Sequence, residues 1–320
     1  MSRYVLQRVL LLVPVWLGIT LLAFGLGHLT PGDPARRIAE KQLDGPATVE
    51  QVEQARREHG LADPLPVQYV RWVGQAVQGD LGQSFNTGGP VLRELSDRFP
   101  ATLQLAICAM LVGLGLALPL GVLAAVYRGS VLDQVSRLAA LAGASLPGFW
   151  LGYLLMLLFA VHLHLLPVAG RGDWRYLILP AVTLGFGLAA PLTRLSRSSL
   201  LEALGEDYIQ TARAKGLRQR TVVLQHALRN ALIPVVTVAG MSFGHLLGGA
   251  VIIETVFAWP GVGKLLVDSI LARDYPLIQG YVLFMGTVFV LINLGVDLLY
   301  VWIDPRIRLV APVEGAHGSA

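Results

Sequence analysis

The run Gly261, Val262, Gly263, Lys264, Leu265 is where this sequence comes nearest to a phosphate-binding loop. Such a loop cradles phosphate with closely approaching backbone amides, neutralises it with a lysine and holds magnesium with a following hydroxyl. Here Ala258 stands where the first glycine is needed and Leu265 where the hydroxyl is needed. A turn from Pro260 into a short amphipathic helix is expected instead. Metal chemistry is no better supplied, because His28, His59, His162, His164, His226, His245 and His317 are scattered and no zinc-protease spacing occurs. His162 and His164 lie near the end of an apolar run, where they serve as interface hydrogen bonders or as a transient metal or proton contact. His245 sits in mid-run among Gly240, Gly244 and Gly248, placed for packing or for a pathway. Asp297, one turn after Asn293, is a carboxylate inside the last apolar segment; it either anchors and hydrogen-bonds between subunits or acts directly in transport. Cys108 is the single cysteine and forms no internal disulfide. With neither paired intramembrane aspartates nor a nucleophile elbow, no catalytic set converges and an enzyme is not expected. No metal or cofactor site is assigned to the chain.

These residues are carried by a chain whose solvent is lipid. Of its 320 residues 54% are hydrophobic and 14% charged, against roughly a quarter charged in soluble domains, and mean hydropathy is +0.60. Stretches free of Lys, Arg, Asp and Glu cover 9–32, 99–127, 138–170, 176–193, 230–253 and 275–296. Each approaches the roughly 20 residues that a helical bilayer crossing needs. The fold class predicted is an all-α polytopic membrane protein with six transmembrane helices, the third run including some loop and the fourth being short. Barrel strands do not suit such continuous apolar runs. The first run is read as a retained span: it is long, Pro14 and Trp16 interrupt it, and no small-residue cleavage pattern precedes Thr30. The divisions expected are a first transmembrane helix (1–30), an extracytoplasmic segment (31–98), a transmembrane core (99–303) containing a cytoplasmic segment (194–229), and a cytoplasmic tail (304–320).

Orientation follows from positive charge. Lys and Arg divide almost evenly between the two sides until the long segment from Pro31 to Arg98, which escapes the short-loop rule, is set aside. The remainder places both termini in the cytoplasm. That rule also accounts for the net charge of +4, so no nucleic-acid partner is expected. Within the external segment Thr48 and Gln51 form a capping pair ahead of a helix ending near Gly60. After Pro66 a second helix carries Val67, Val70, Val73 and Val77 with Tyr69 and Trp72, until Gly79 and Gly82 break it. The two helices either pack on the bundle or are presented to a partner.

Gly240, Gly244 and Gly248 form a smooth ridge suited to close packing or a gating interface, and Gly113, Gly121 and Gly185 suggest the same more weakly. Pro119 permits a kink. Between the fourth and fifth runs, Arg194, Arg197, Arg213, Lys215, Arg218, Arg220 and Arg229 face only Glu202, Glu206 and Asp207. Leu200, Leu204 and Tyr208 descend one helical face with Ile209 and Ala212 close by, and Gly216 is placed to end the helix. A second helical stretch from about Val222 passes through Leu228 into the fifth run. A helix, a glycine turn and a helix joined directly to a span can transmit a rigid displacement, which a floppy loop would absorb.

The stretch Asp207 to Ala231, DYIQTARAKGLRQRTVVLQHALRNA, resembles the cytoplasmic signature of membrane subunits of binding-protein-dependent ABC importers, particularly the dipeptide, oligopeptide and nickel permease family. It departs from the general importer pattern, with Gln210, Thr211 and Ala212 ahead of Gly216 and with His226 and Arg229 where that pattern has Ile and Pro. TARAKG and HALRNAL are the peptide-permease version. The likeness continues in PGDPA (Pro31 to Ala35), GDLGQS (Gly79 to Ser84), RFPATLQL (Arg98 to Leu105) and DWRYLILPA (Asp173 to Ala181). It ends with ETVFAWPGVGKL (Glu254 to Leu265), RDYP (Arg273 to Pro276) and DPRIR (Asp304 to Arg308).

This resemblance implies an importer type I permease fold in the bacterial inner membrane. It implies a second homologous permease subunit, two cytoplasmic ATPase subunits that bind ATP and Mg, and an extracytoplasmic solute-binding protein. By the matching motif, Asp207, Tyr208, Thr211, Ala212, Arg213, Ala214, Lys215 and Gly216 would dock in the ATPase. The implied activity is import of dipeptides or oligopeptides by alternating access. A nickel or nickel-chelate permease is the alternative, and a non-transport membrane scaffold a remoter one.

Overall fold

A computed structural model of the protein describes residues 2–29, 33–43 and 45–303. The expected cytoplasmic tail with its DPRIR segment, and the opening Pro31 and Gly32 of PGDPA, lie outside the described residues. Asp297 falls in a described helix, but its side chain is outside the described set.

Thirteen helices run in order among the described residues: α1 Ser2–Leu29, α2 Pro34–Leu43, α3 Val49–Glu58, α4 Leu65–Val77, α5 Val91–Val126, α6 Val131–Ser145, α7 Gly148–Leu155, α8 Arg175–Gly205, α9 Asp207–Ala214, α10 Gln219–Thr221, α11 Leu228–Val256, α12 Val262–Ala272 and α13 Tyr275–Ile303. Two π-helical segments, Met156–His162 and Val222–Ala227, extend α7 and lead into α11. Strand pairing among the described residues is confined to one antiparallel bridge, Gln83 to Pro90. Helices suit these apolar runs because each satisfies its own peptide groups without water.

Among the described residues, five helical stretches are long and apolar enough to cross a membrane: Leu10–Gly27, Val91–Val126, Arg175–Gly205, Gln219–Gly248 and Tyr275–Val296. The third apolar run is divided instead of continuous. Pro147 lacks an N–H and disfavours helix at the residue before it, so the run passes from α6 to α7 and its π extension, Gly148–His162. The pieces together follow α8: a Cβ on Gly143 would meet Phe186, one on Gly152 would meet Thr183, and Ala160 clusters with Leu179 and Ala181. The short fourth run is the apolar part of α8, a 31-residue helix that continues past it.

α8 packs along α5 at very short range, with a Cβ on Gly185 falling 2.5 Å from the Ala109 carbonyl oxygen. Ala106 and Ala109 with Leu188, Leu192, Val235 and Leu247 join α5, α8 and α11 in a central apolar cluster. Exposed apolar side chains such as Leu11 and Leu22 on α1 and Leu111 on α5 point outward, as a lipid-facing surface requires.

The segment between α1 and α5 is built locally. Thr48 and Gln51 form the reciprocal capping box at the start of α3. α2, which periodicity did not reveal, is tied to α3 by Arg56 Nη2 to Asp33 Oδ2 at 2.6 Å. On α4 the aromatic residues, not the valines, face the bundle: Tyr69 OH is 2.8 Å from Thr20 Oγ1, and Phe24 packs on both Tyr69 and Trp72. Val70 and Val77 remain exposed.

Candidate functional site

The signature stretch from Asp207 forms a compact projection at one end of the bundle. α8 stops at Gly205, and Glu206 is extended, with φ −71° and ψ 149°. The chain therefore turns before α9 begins, and Tyr208 does not continue the face of Leu200 expected for one unbroken helix. Ile209 and Ala212 take the inner face and pack with Leu200, Ala203, Val222, Val223 and Ala227. Full burial of an aliphatic chain such as Ile209 is worth about 1.5–3 kcal/mol, enough to seat an eight-residue helix that would not persist alone. Tyr208 is exposed, and its hydroxyl accepts from Asn230 Nδ2 at 3.0 Å.

Asp207, Thr211, Arg213, Ala214, Lys215 and Gly216 are also exposed, while Ala212 is inside. Gly216 ends the projection in the left-handed region at φ +75°, its amide donating to the Arg213 carbonyl and the Leu217 amide to the Ala212 carbonyl. Nothing lies within 4 Å of where its Cβ would stand, so backbone conformation, not space, favours glycine there. From this turn α10 and the π segment Val222–Ala227 lead into α11, the Leu228 amide bonding the Val223 carbonyl five residues back. The projection thus stands on three helical elements and joins α11 without a loop.

The glycine loop lies at the opposite end of α11 and does cradle an anion, one that the chain supplies. Glu254 is fully buried. Its Oε1 accepts from Thr102 Oγ1 at 2.5 Å and its Oε2 from the Lys264 amide at 2.9 Å. Thr102 Oγ1 in turn accepts from the Val262 amide at 2.9 Å. A Cβ on Gly261 would stand 2.1 Å from Glu254 Oε1, and one on Gly263 2.7 Å from the Val251 Cα. The expected short helix after Pro260 is α12, and the carboxylate caps its N-terminus, where free amides and the helix dipole favour negative charge. Lys264 turns away to pair with Asp268 at 2.6 Å.

A second buried carboxylate, Asp274, accepts from Ser84 Oγ at 2.5 Å and from the Phe85 and Asn86 amides at 3.0 and 3.1 Å. It joins the RDYP and GDLGQS segments, 190 residues apart. At the α9 end, Asp133 receives Arg197 through Nε at 2.8 Å and Nη2 at 2.9 Å, and the Gly129 amide at 3.0 Å. Sequence reasoning missed all three. The available signal was that Glu254 and Asp274 bound two apolar runs, where a carboxylate reaches helix-end amides.

Along the glycine ridge, a Cβ on Gly240 would meet Val296 at 3.2 Å and one on Gly244 would meet Phe289 at 2.8 Å, so both pack on α13. Gly248 has open space and is exposed. His245 is exposed beside the ridge, edge-on to Phe289, with Nδ1 3.2 Å from the Met241 carbonyl oxygen. His162, the last residue of the π extension, and His164 just beyond it are both exposed, and no group of three or more possible metal ligands occurs among the described residues.

Comparison with known proteins covers almost the whole chain. Residues 117–309 match the family described as binding-protein-dependent transport system inner membrane component. Residues 1–106 match the corresponding N-terminal family. The chain is 46% identical over 308 residues to the glutathione transport system permease protein GsiC of Pectobacterium atrosepticum, covering 96% of this chain and 99% of that one. It is 43% identical to the dipeptide transport system permease protein DppB of Escherichia coli, with the same coverage. A solved structure of the MetNI methionine ABC transporter in inward-facing conformations superposes with a TM-score of 0.56 at 22% identity, over 66% of this chain and 96% of that one. This last likeness concerns the fold.

Proposed function

The chain belongs to the family of inner-membrane components of binding-protein-dependent transport systems, and from that membership we propose that it forms the pathway for a short peptide. It is a multi-pass permease subunit of an ABC importer and not an enzyme; ATP hydrolysis belongs to partner subunits. In our reading those partners are two cytoplasmic ATPases holding ATP and Mg, together with a second homologous permease and an extracytoplasmic binding protein. The relatives named for glutathione and for dipeptides support a peptide cargo over nickel.

The observation that carries the mechanism is the projection itself: α9 is anchored through Ile209 and Ala212, exposes its polar residues, and is joined through Gly216 to the helix that becomes α11. Docked in an ATPase cleft on the cytoplasmic side, Asp207 to Gly216 would move as the nucleotide sites close. α11 would carry that movement into the membrane and switch the bundle between inward and outward openings. Such docking drives transport only if it favours one of the two conformations. Gly240 and Gly244 would let α11 repack on α13 during the switch.

The test is uptake by vesicles containing the complete complex, with the binding protein supplied and a labelled dipeptide, a longer peptide, glutathione and chelated nickel compared. ATP-dependent uptake of a peptide is expected. Uptake of nickel alone, or no uptake by a correctly assembled complex, rejects the assignment.

A further inference from the structure

The carboxylate of Glu254 lies on the same helix as the Gly216 turn's second arm, at that helix's far end, and its contacts reach two other helices. Oε2 takes the Lys264 amide of α12, and Oε1 takes the hydroxyl of Thr102 on α5, which itself takes the Val262 amide of α12. The linker between α11 and α12 has no slack. The Trp259 amide bonds the Glu254 carbonyl at 2.8 Å, and Trp259 Nε1 bonds the Ala101 carbonyl of α5 at 2.9 Å. Ala258 turns the chain at φ +48°. Two glycines leave room for the carboxylate, since a Cβ on either would press on Glu254. Sliding α12 along α11 would strip a buried carboxylate of its donors without offering water in exchange, which is strongly disfavoured.

We propose that Glu254 is a positioning residue for transport, fastening α12 and the adjoining end of α5 to the end of α11 so that displacement begun at the Gly216 turn is delivered to α12 at the outer mouth. This rests on the importer reading above and adds the route by which the cytoplasmic event reaches the opposite face. The peptide need not touch Glu254.

The test uses the complete complex with spin labels at Thr255→Cys on α11 and Leu271→Cys on α12, in a Cys108→Ser background. Both labelled positions are exposed. In the otherwise unaltered protein the distance between labels stays the same in nucleotide-free and ATP-trapped states. In Glu254→Ala the distribution broadens, and the ratio of binding-protein-stimulated to basal ATP hydrolysis falls about tenfold, within the usual range of coupling between distant sites. Glu254→Gln, which keeps an acceptor, restores much of that ratio. A residue that only held the fold together would lower assembly and both hydrolysis rates alike. Wild-type stimulation in Glu254→Ala, or an α11 to α12 distance that changes between states in the unaltered protein, overturns the proposal. Should Glu254→Ala fail to assemble, Thr102→Val removes the bridging hydroxyl at nearly constant shape and is judged by the same two readouts. Failure of the importer reading shows separately, as absent peptide uptake by the unaltered complex, while the label distance still reports on Glu254.

Discussion

Glu254, Asp274 and Asp133 share one device. Each is a nearly inaccessible carboxylate that accepts at least one backbone amide at a helix end or turn, joining segments distant in sequence. A buried carboxylate is tolerable only when donors replace its water, so each fixes a local geometry with little latitude. Asp133 lies ahead of the third apolar run, and its ionisation carries a measurable consequence. The hydrogen bonds from Arg197, then the Gly129 amide, hold its carboxyl down from 3.8 to about 2, while burial pulls the other way. A folded-state value below the unfolded one means that the proton is excluded from the folded protein. The stabilisation is therefore complete above about pH 4 and is lost as pH falls through about 2. Thermal unfolding in detergent between pH 5 and pH 2 should lose midpoint more steeply for the natural protein than for Asp133→Asn, which lacks that titration. Equal slopes would show that the Asp133 and Arg197 pair contributes nothing to acid sensitivity.

At the scale of elements, local signals were legible where they were self-contained. Thr48 and Gln51 announced α3, Pro260 announced the approach to α12, and Gly216 marked the end of α9, because each acts on its own few residues. What was not legible depended on partners. The face of α4 that turns inward is set by Phe24 and Thr20 of α1, not by its valine spacing. Gly185 sits at the tightest approach between α5 and α8, yet nothing in its own helix distinguishes it from Gly248, which has open space. The division of the third run at Pro147 was written in the sequence, but an apolar run without charge conceals it from a count of uncharged residues. The turn at Gly216 allows a clean separation of shape from bulk. Since no atom stands near its Cβ position, Gly216→Val should cost about 1–2 kcal/mol through the left-handed backbone alone, whereas Gly216→Asn should cost much less. In vesicles containing the assembled complex, Asn is expected to retain most ATP-driven uptake and Val to lose the larger part of it, with insertion unaffected in both. Equal uptake by the two variants would remove the left-handed turn from the coupling mechanism.

Across the whole molecule, the proposed work requires the two ends of the bundle to face different compartments. α9 and the Asp133 to Arg197 clamp lie at one end; α12, the Glu254 network and the Asp274 network lie at the other. α11 connects the two, and the polar helices α2 to α4 follow α1 at its far end from the N-terminus. Our reading puts the α9 end in the cytoplasm, and it rests on the charge pattern: the basic residues of short loops gather there once the long segment before α5 is set aside. Thiol labelling tests this directly in a Cys108→Ser background with Lys215→Cys in the projection and Val49→Cys at the start of α3, both at exposed positions. An impermeant maleimide added to spheroplasts should modify Val49→Cys and spare Lys215→Cys; in inverted vesicles the reactivities should exchange. Labelling of Lys215→Cys from outside, in a complex that still transports peptide, would leave α9 unable to meet a cytoplasmic ATPase and would dismantle the route from Gly216 through α11 to α12.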